Sequence, residues 1–105
     1  MKHYHCPYLK AQVELSEERE KHITDRHPEL LPTHEVEMAE TIVEPDQVRL
    51  SNRFINAKLF TRWFEDVRSG KYIVVVVVSQ SQRHWIITAY IARTLSGGII
   101  EWERN

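Results

Sequence analysis

The stretch KYIVVVVVS, residues 71–79, decides the class of fold. Its apolar residues run without interruption from Ile73 to Val78 and are almost all β-branched, which favours a strand. A strand that is apolar on both alternating faces lies inside a sheet, with other parts of the protein packed on each side. The run is also far shorter than the roughly 20 residues that a membrane-spanning helix needs. The sequence therefore predicts a central buried strand and no membrane span.

Further strand patterns lie on both sides of this central strand, and residues typical of tight turns separate several of them. Ser69-Gly70 and Ser96-Gly97-Gly98 are expected to form hairpin turns. Adjacent strands joined by such turns predict an antiparallel sheet. The strand patterns are QVRLS (47–51), AKLFTRWFEDV (57–67), RHWIITAYIART (83–94) and GIIEWER (98–104).

The first 45 residues predict one more strand, YLKAQVELS (8–16), followed by two helices. Ser16 is a good cap for a helix from about Glu17 to Arg26, which Pro28 ends. The stretch THEVEMAETIVEP (33–45) predicts the second helix, with Thr33 as its cap and Pro45 at its end.

A chain of 105 residues is long enough for one hydrophobic core, so residues 1–105 are expected to form a single domain. The expected class is α+β, with two N-terminal helices packed on a curved four- to five-stranded antiparallel sheet.

Charge and cysteine content give weaker indications of function. Residues 1–45 carry 5 Lys/Arg and 10 Asp/Glu, whereas residues 46–105 carry 9 and 5, and the whole chain has a net charge of −1. The basic C-terminal half suits a polyanion, although a modest surplus of this kind is more often a solvated surface. The lone Cys6 has no partner for an internal disulfide, and no apolar signal stretch precedes it, so a cytoplasmic protein is expected.

Two polar segments carry the candidate chemistry. In RHWIITAYIART, strict alternation places His84, Ile86, Thr88 and Tyr90 on one face of the strand and Trp85, Ile87, Ala89 and Ile91 on the other. The second face is typical of a core, and the first is typical of the floor of a polar cleft. The alternative is that Thr88 and Tyr90 only face water, since both types favour strands.

The second segment is EKHITDRHPEL, residues 20–30. His27 lies at the helix exit beside Arg26, where an imidazole, which titrates near neutral pH, suits acid–base chemistry. His22 and His27 are separated by about 140° around the helix axis, which makes them a poor metal clamp. No metal site and no cofactor are expected. The alternative is that both histidines only cover the end of the helix.

Several stretches together resemble a known family: HITDRHPEL, ETIVEPDQVRLS, VVVVVS and HWIITAYIARTLSGGIIEW. From about Val13 to Trp102 the chain is similar to phage-associated nuclease-like domains that are grouped with barnase, EndoU, colicin-type tRNases and RelE. The resemblance implies a barnase/RelE-like fold and a metal-independent endoribonuclease, often a toxin. It implies RNA as the partner, either tRNA or ribosome-associated RNA, and a neutralising antitoxin or immunity protein.

The resemblance also implies roles for individual residues. The helix histidine of the family falls on His27, with His22 and Arg26 beside it in the motif, and the sheet hydroxyl falls on Thr88, with Tyr90 two residues further. RNA cleavage without a metal needs a base, an acid and groups that stabilise the charged phosphorane, and these residue types supply them. The candidates for substrate binding are Arg53, Lys58, Arg62 and His84.

Two alternatives stay open at this stage. The first is a catalytically silent module that binds nucleic acid or a protein through the same fold. The second is an interaction protein that pairs through GIIEWER as an exposed edge strand, although Glu101, Glu103 and Arg104 disfavour such pairing. The slightly negative total charge also departs from strongly basic ribonuclease toxins.

Overall fold

Seven strands and two helices make up the protein in a computed structural model that describes residues 1–105. All strands join one sheet in the order β1-β2-β6-β5-β4-β3-β7. The elements are β1 (Lys2–Cys6), β2 (Ala11–Leu15), α1 (Glu17–Arg26), α2 (Glu35–Val43), β3 (Gln47–Leu50), β4 (Ala57–Phe64), β5 (Lys71–Gln80), β6 (Arg83–Ala92) and β7 (Ile99–Glu103).

The predicted α+β class holds, but the predicted four- to five-stranded antiparallel sheet is wrong. The sheet has seven strands and is mixed, because β2 pairs with β6 in parallel through Glu14 and Trp85. The barnase/RelE-like arrangement with purely N-terminal helices is also corrected, since two strands precede α1 and belong to the sheet. The prediction missed β1, whose sequence KHYHC has little apolar content, although it pairs with β2 along its full length.

The central strand β5 is buried on both faces, as predicted. Ile73, Val75 and Val77 face the main core, where α2 packs across the sheet, and they are at most 1% exposed. On the opposite face Val74 and Val76 are 2% and 3% exposed. Both faces are therefore covered, which explains why the sequence of β5 shows no alternation between apolar and polar residues.

Helix α1 has the predicted bounds and the predicted cap. The Ser16 hydroxyl accepts a hydrogen bond from the backbone N–H of Arg19 at 3.1 Å, and His27 ends the helix just before Pro28. Helix α2 begins later than predicted: His34, not Thr33, is its N-cap, because a turn in which the His34 N–H donates to the Leu30 carbonyl precedes it. Neither helix has the length and apolar character that crossing a membrane requires.

The segment between β6 and β7 forms a crossover instead of the predicted hairpin. The Ser69-Gly70 turn joins adjacent strands as expected, whereas β7 pairs with β3, three strands away from β6. Residues 93–98 consequently pass over the sheet on the face opposite the helices, where Leu95 and Ser96 lie near Val74 and Leu59. This crossover helps to bury the second face of β5.

A bulge in β6 changes which side chains face the core. Val76 pairs with Thr88 and Val77 pairs with Ile86, so Ile87 is an extra residue on β6. Before the bulge the faces are exchanged: Ile86 is fully buried in the core, and Trp85 pairs with Val78. The predicted faces are therefore correct for Thr88 to Ile91 and wrong for Trp85 and Ile86, because one extra residue inverts the alternation.

Candidate functional site

A cleft of about 560 Å³ opens on the sheet face that lies opposite the helices. The hydroxyls of Thr88 and Tyr90 and the side chains of Leu59 and Val76 belong to the strands that form its floor. The end of α1, the loop between β3 and β4, and the crossover before β7 supply the rest of the lining. The complete lining is His27, Ser51, Asn52, Arg53, Phe54, Leu59, Val76, Thr88, Tyr90, Ser96, Gly97 and Gly98.

His27 reaches this cleft because α1 runs along β6. Strand β2 pairs with β6 only at Glu14 and Trp85, and the chain then continues into α1, whose Arg19 guanidinium donates to the Ile87 carbonyl at 3.4 Å. The end of α1 places the His27 ring 5.8 Å from the Tyr90 ring, measured between centroids. The sequence prediction that His27, Thr88 and Tyr90 come together in one cleft agrees with this geometry.

One nitrogen of the His27 ring has a carboxylate nearby. Nδ1 lies 3.4 Å from a carboxylate oxygen of Glu29. A carboxylate at Nδ1 favours a proton on that nitrogen, which leaves Nε2 as the acceptor for a proton from a ligand. The contact is electrostatic, because the two groups do not form a hydrogen bond.

Tyr90 is a hydrogen-bond donor at neutral pH. Burial raises the pKa of its phenol, while the positive charge of Arg53 opposes this effect. The Tyr4 phenol donates to the Glu35 carboxylate, whereas the Tyr90 hydroxyl has no hydrogen-bond partner in the protein. Its hydroxyl is therefore free to donate to a ligand in the cleft.

Arg53 is held at the mouth of the cleft by a turn. The Ser51 hydroxyl accepts hydrogen bonds from the backbone N–H groups of Arg53, at 3.0 Å, and of Phe54, at 2.9 Å. The Arg53 guanidinium lies 5.3 Å from the centre of the Phe54 ring, which is 43% exposed. An exposed aromatic ring beside a cation is a suitable surface for a nucleobase.

Five predicted site residues lie outside the cleft. His22 and Arg26 are on α1 but do not line the cavity, and Arg26 is exposed to solvent. The His84 ring is bonded to the Ser79 hydroxyl at 2.6 Å, at the far end of the β5–β6 hairpin. The bulge in β6 separates His84 from the face that carries Thr88.

Lys58 and Arg62 are on the opposite face of the sheet from the cleft. Each pairs with a residue of β5 that faces the main core, Val77 and Ile73 respectively. The Lys58 ammonium binds the Glu101 carboxylate at 2.8 Å. The Arg62 guanidinium donates to the Glu44 carbonyl at 3.1 Å, at the end of α2. Of the predicted basic substrate-binding residues, only Arg53 lines the cleft.

Sequence reasoning missed Arg49 on β3. It lines a smaller cavity that adjoins the cleft and shares Leu59, Tyr90 and Ser96 with it. Its Nε and Nη1 atoms are buried and have no hydrogen-bond partner. The alternation in QVRLS is the signal that was available, because Val48 in the core places Arg49 on the opposite face.

No group of three or more His, Cys, Asp or Glu side chains comes together in an arrangement that could hold a metal ion. Comparison of the chain with protein-family models, with curated protein sequences and with solved structures finds no match. The interpretation of the cleft therefore depends on its own residues.

Proposed function

We propose that the protein is a metal-independent endoribonuclease that cleaves RNA to a 2′,3′-cyclic phosphate. The observation that carries the proposal is the convergence of His27, Thr88, Tyr90 and Arg53, from a helix end, a strand and a loop, on one cleft. The motif resemblance to phage-associated nuclease-like domains supports the same activity. As a toxin, such an enzyme requires a neutralising antitoxin or immunity protein.

The proposed mechanism gives each of these groups one task. Nε2 of His27 takes the proton of the 2′-hydroxyl, and the resulting oxygen attacks the phosphorus. Arg53 neutralises the phosphate, and the hydroxyls of Thr88 and Tyr90 donate to the non-bridging oxygens as charge builds on the phosphorane. The bond to the 5′ oxygen breaks, and this oxygen takes a proton from solvent, because a phenol with a raised pKa is a poor acid.

The charges of the cleft also support an anionic substrate. No Asp or Glu lines the main cleft or the adjoining cavity, although the chain has 15 such residues. Glu29 lies on the Nδ1 side of His27, and Arg49 and Arg53 are the charged residues that line the two cavities. The cleft is thus locally positive within a chain whose net charge is −1.

The test is cleavage of end-labelled RNA in excess EDTA by the wild type and by His27→Ala. His22→Ala is the matched control, since it removes a histidine from the same helix but outside the cleft. Loss of a general base lowers the rate by about 10²–10⁴-fold, so His27→Ala should be nearly inactive while His22→Ala keeps its activity. Circular dichroism and melting curves verify that both variants fold.

A second matched pair tests the face of the sheet. Arg53→Gln should lower the cleavage rate, whereas Lys58→Gln, on the opposite face, should leave it nearly unchanged. Cleavage that survives in a folded His27→Ala protein contradicts the proposed base, and equal losses from Arg53→Gln and Lys58→Gln contradict the proposed location.

A binding module that uses the same cleft without catalysis is the second candidate. The observation that favours it is that His27 is the only imidazole in the cleft, so the leaving oxygen has no second imidazole to protonate it. This candidate predicts saturable binding of RNA whose length does not change during prolonged incubation. Cyclic-phosphate products that depend on His27 exclude it.

A further inference from the structure

Arg49 is partly exposed, but two nitrogens of its guanidinium are buried, and no carboxylate pairs with it. Its Nε and Nη1 atoms have no hydrogen-bond partner. Other arginines are paired: Arg83 binds the Glu14 carboxylate at 3.0 Å, and Arg104 donates to the Pro45 carbonyl at 3.0 Å. A buried charged donor without an acceptor is unfavourable, so its presence calls for an acceptor from outside the chain.

Strand pairing places Arg49 in line with the proposed site. Arg49 pairs with Leu59, Leu59 with Val76, and Val76 with Thr88, so the four residues form one row across the sheet. The next row begins at Gln47 and ends at Tyr90. All of these side chains belong to the face opposite the main core, beneath the crossover before β7.

The cavity beside Arg49 has room for an anion. Its volume is about 110 Å³, compared with the roughly 30 Å³ that a water molecule occupies in the liquid. No carboxylate lines it, and its lining includes Thr94 and Ser96 as well as Thr61, whose hydroxyl donates to the Gln47 carbonyl at 3.3 Å. Two acidic residues, Asp46 and Glu103, lie in the next cavity, where Asp46 accepts from the Trp63 N–H and Glu103 accepts from the Gln47 amide.

We propose that Arg49 forms an oxyanion subsite that receives a phosphate group of the RNA strand next to the reacting centre. The planar guanidinium matches the oxygens of a phosphate, and Tyr90, which lines both cavities, connects the subsite to the cleft. The identity of this ligand rests on the proposed ribonuclease function, whereas the requirement for an anion rests on Arg49 alone.

The experiment measures binding and stability of the same variants. The probes are inorganic phosphate and a single-stranded oligonucleotide with 2′-O-methyl groups, which cannot form a cyclic phosphate. Calorimetric titrations at 50 and 200 mM salt compare the wild type with Arg49→Met, which keeps an unbranched apolar stem. Arg68→Met is the control, because Arg68 is an exposed arginine that lines neither cavity.

Arg49→Met should weaken oligonucleotide binding at least 10-fold and lower the slope of log affinity against log salt by about 0.7, the value for one lost phosphate contact on a single strand. It should also raise the melting temperature of the ligand-free protein, since it removes two buried donor nitrogens that have no acceptor. Arg68→Met should bind as the wild type does. A merely structural arginine predicts the opposite sign, a lower melting temperature.

Three outcomes overturn the subsite. In the first, Arg49→Met binds the oligonucleotide with unchanged affinity; in the second, it loses binding and also melts at a lower temperature. In the third, the wild type binds neither probe. Binding of inorganic phosphate alone that depends on Arg49 overturns its assignment to RNA. Because the oligonucleotide cannot be cleaved, the two proposals fail separately. Binding that depends on Arg49 without any RNA cleavage contradicts the ribonuclease and supports the subsite. RNA cleavage that is unchanged in Arg49→Met supports the ribonuclease and contradicts the subsite.

Discussion

Two adjacent glycines at the edge of the cleft, Gly97 and Gly98, should respond very differently to replacement by alanine. Both have positive φ angles, +79° and +75° respectively. A Cβ atom at Gly97 would meet nothing within 4 Å. A Cβ atom at Gly98 would lie 2.4 Å from the carbonyl oxygen of Leu50, which is a backbone atom of β3 and has little freedom to move. The two substitutions thus share the backbone penalty and differ in the clash.

The magnitudes follow from these two contributions. Alanine in a left-handed conformation costs about 1–2 kcal/mol, and the smaller freedom of the unfolded alanine chain offsets about 0.4–1 kcal/mol of this. Gly97→Ala should therefore lower the free energy of unfolding by about 1 kcal/mol. Gly98→Ala adds the cost of overpacking, about 1–3 kcal/mol, because Leu50 and the start of β7 must move apart.

Thermal unfolding followed by circular dichroism measures this difference. In a domain of this size, 1 kcal/mol shifts the melting temperature by about 4–8 °C, so Gly98→Ala should melt about 5–20 °C below Gly97→Ala. Hydrogen exchange should also show faster exchange of the β3–β7 pairing in Gly98→Ala alone. Equal melting temperatures for the two variants would refute the close approach of the crossover to β3.

Three further predictions concern the fold around the cleft. Ile86→Ala should destabilise the protein by about 2–5 kcal/mol and Ile87→Ala by clearly less, since Ile86 is fully buried; denaturant titrations showing the reverse order would contradict the bulge. Ser16→Ala should cost about 1 kcal/mol by removal of the α1 cap, and unchanged stability would contradict that hydrogen bond. Hydrogen bonds from Lys58, chiefly, and from Tyr8 lower the pKa of Glu101 in the folded protein. The stabilisation that these bonds give is therefore complete above the carboxyl pKa of the unfolded chain, and it is lost as the pH falls through the pKa of the folded protein. The melting temperature of Glu101→Gln should accordingly lie below that of the wild type at pH 7, and the difference should shrink as the pH falls below the ordinary carboxyl range.

The elements of the fold were predictable where local signals act alone. Ser16 and Pro28 fix both ends of α1, and the unbroken valines of β5 indicate a strand covered on both sides. Pairings between distant strands carry no such local signal. The parallel contact of Glu14 with Trp85 and the pairing of β7 with β3 depend on how the chain crosses the sheet.

The site shows the same division. Alternation along β6 correctly placed Thr88 and Tyr90 on one face, and His27, at the end of α1, lines the same cleft. The same alternation failed for His84, because the bulge at Ile87 lies between it and Thr88. Lys58 was proposed as a basic residue that opens the strand, but it lies two residues from Phe60 and so shares the core-facing side of β4 with it, which would have excluded it from the cleft face.

The incomplete pairing of β6 links the unusual sheet to the candidate site. A full partner strand beside β6 would occupy the space where α1 lies, and His27 would then have no route to the side of Tyr90. Because β2 stops after a single paired position, α1 continues along β6, and Arg19 binds the carbonyl of the bulge residue Ile87. The bulge also fixes which face of β6 carries Thr88 and Tyr90. The contact between α1 and the bulge of β6 therefore positions both the His27 imidazole and the hydroxyls of Thr88 and Tyr90. Arg19→Met removes the bond to the Ile87 carbonyl but none of these three groups. It should therefore shift the imidazole relative to the hydroxyls while leaving the core intact.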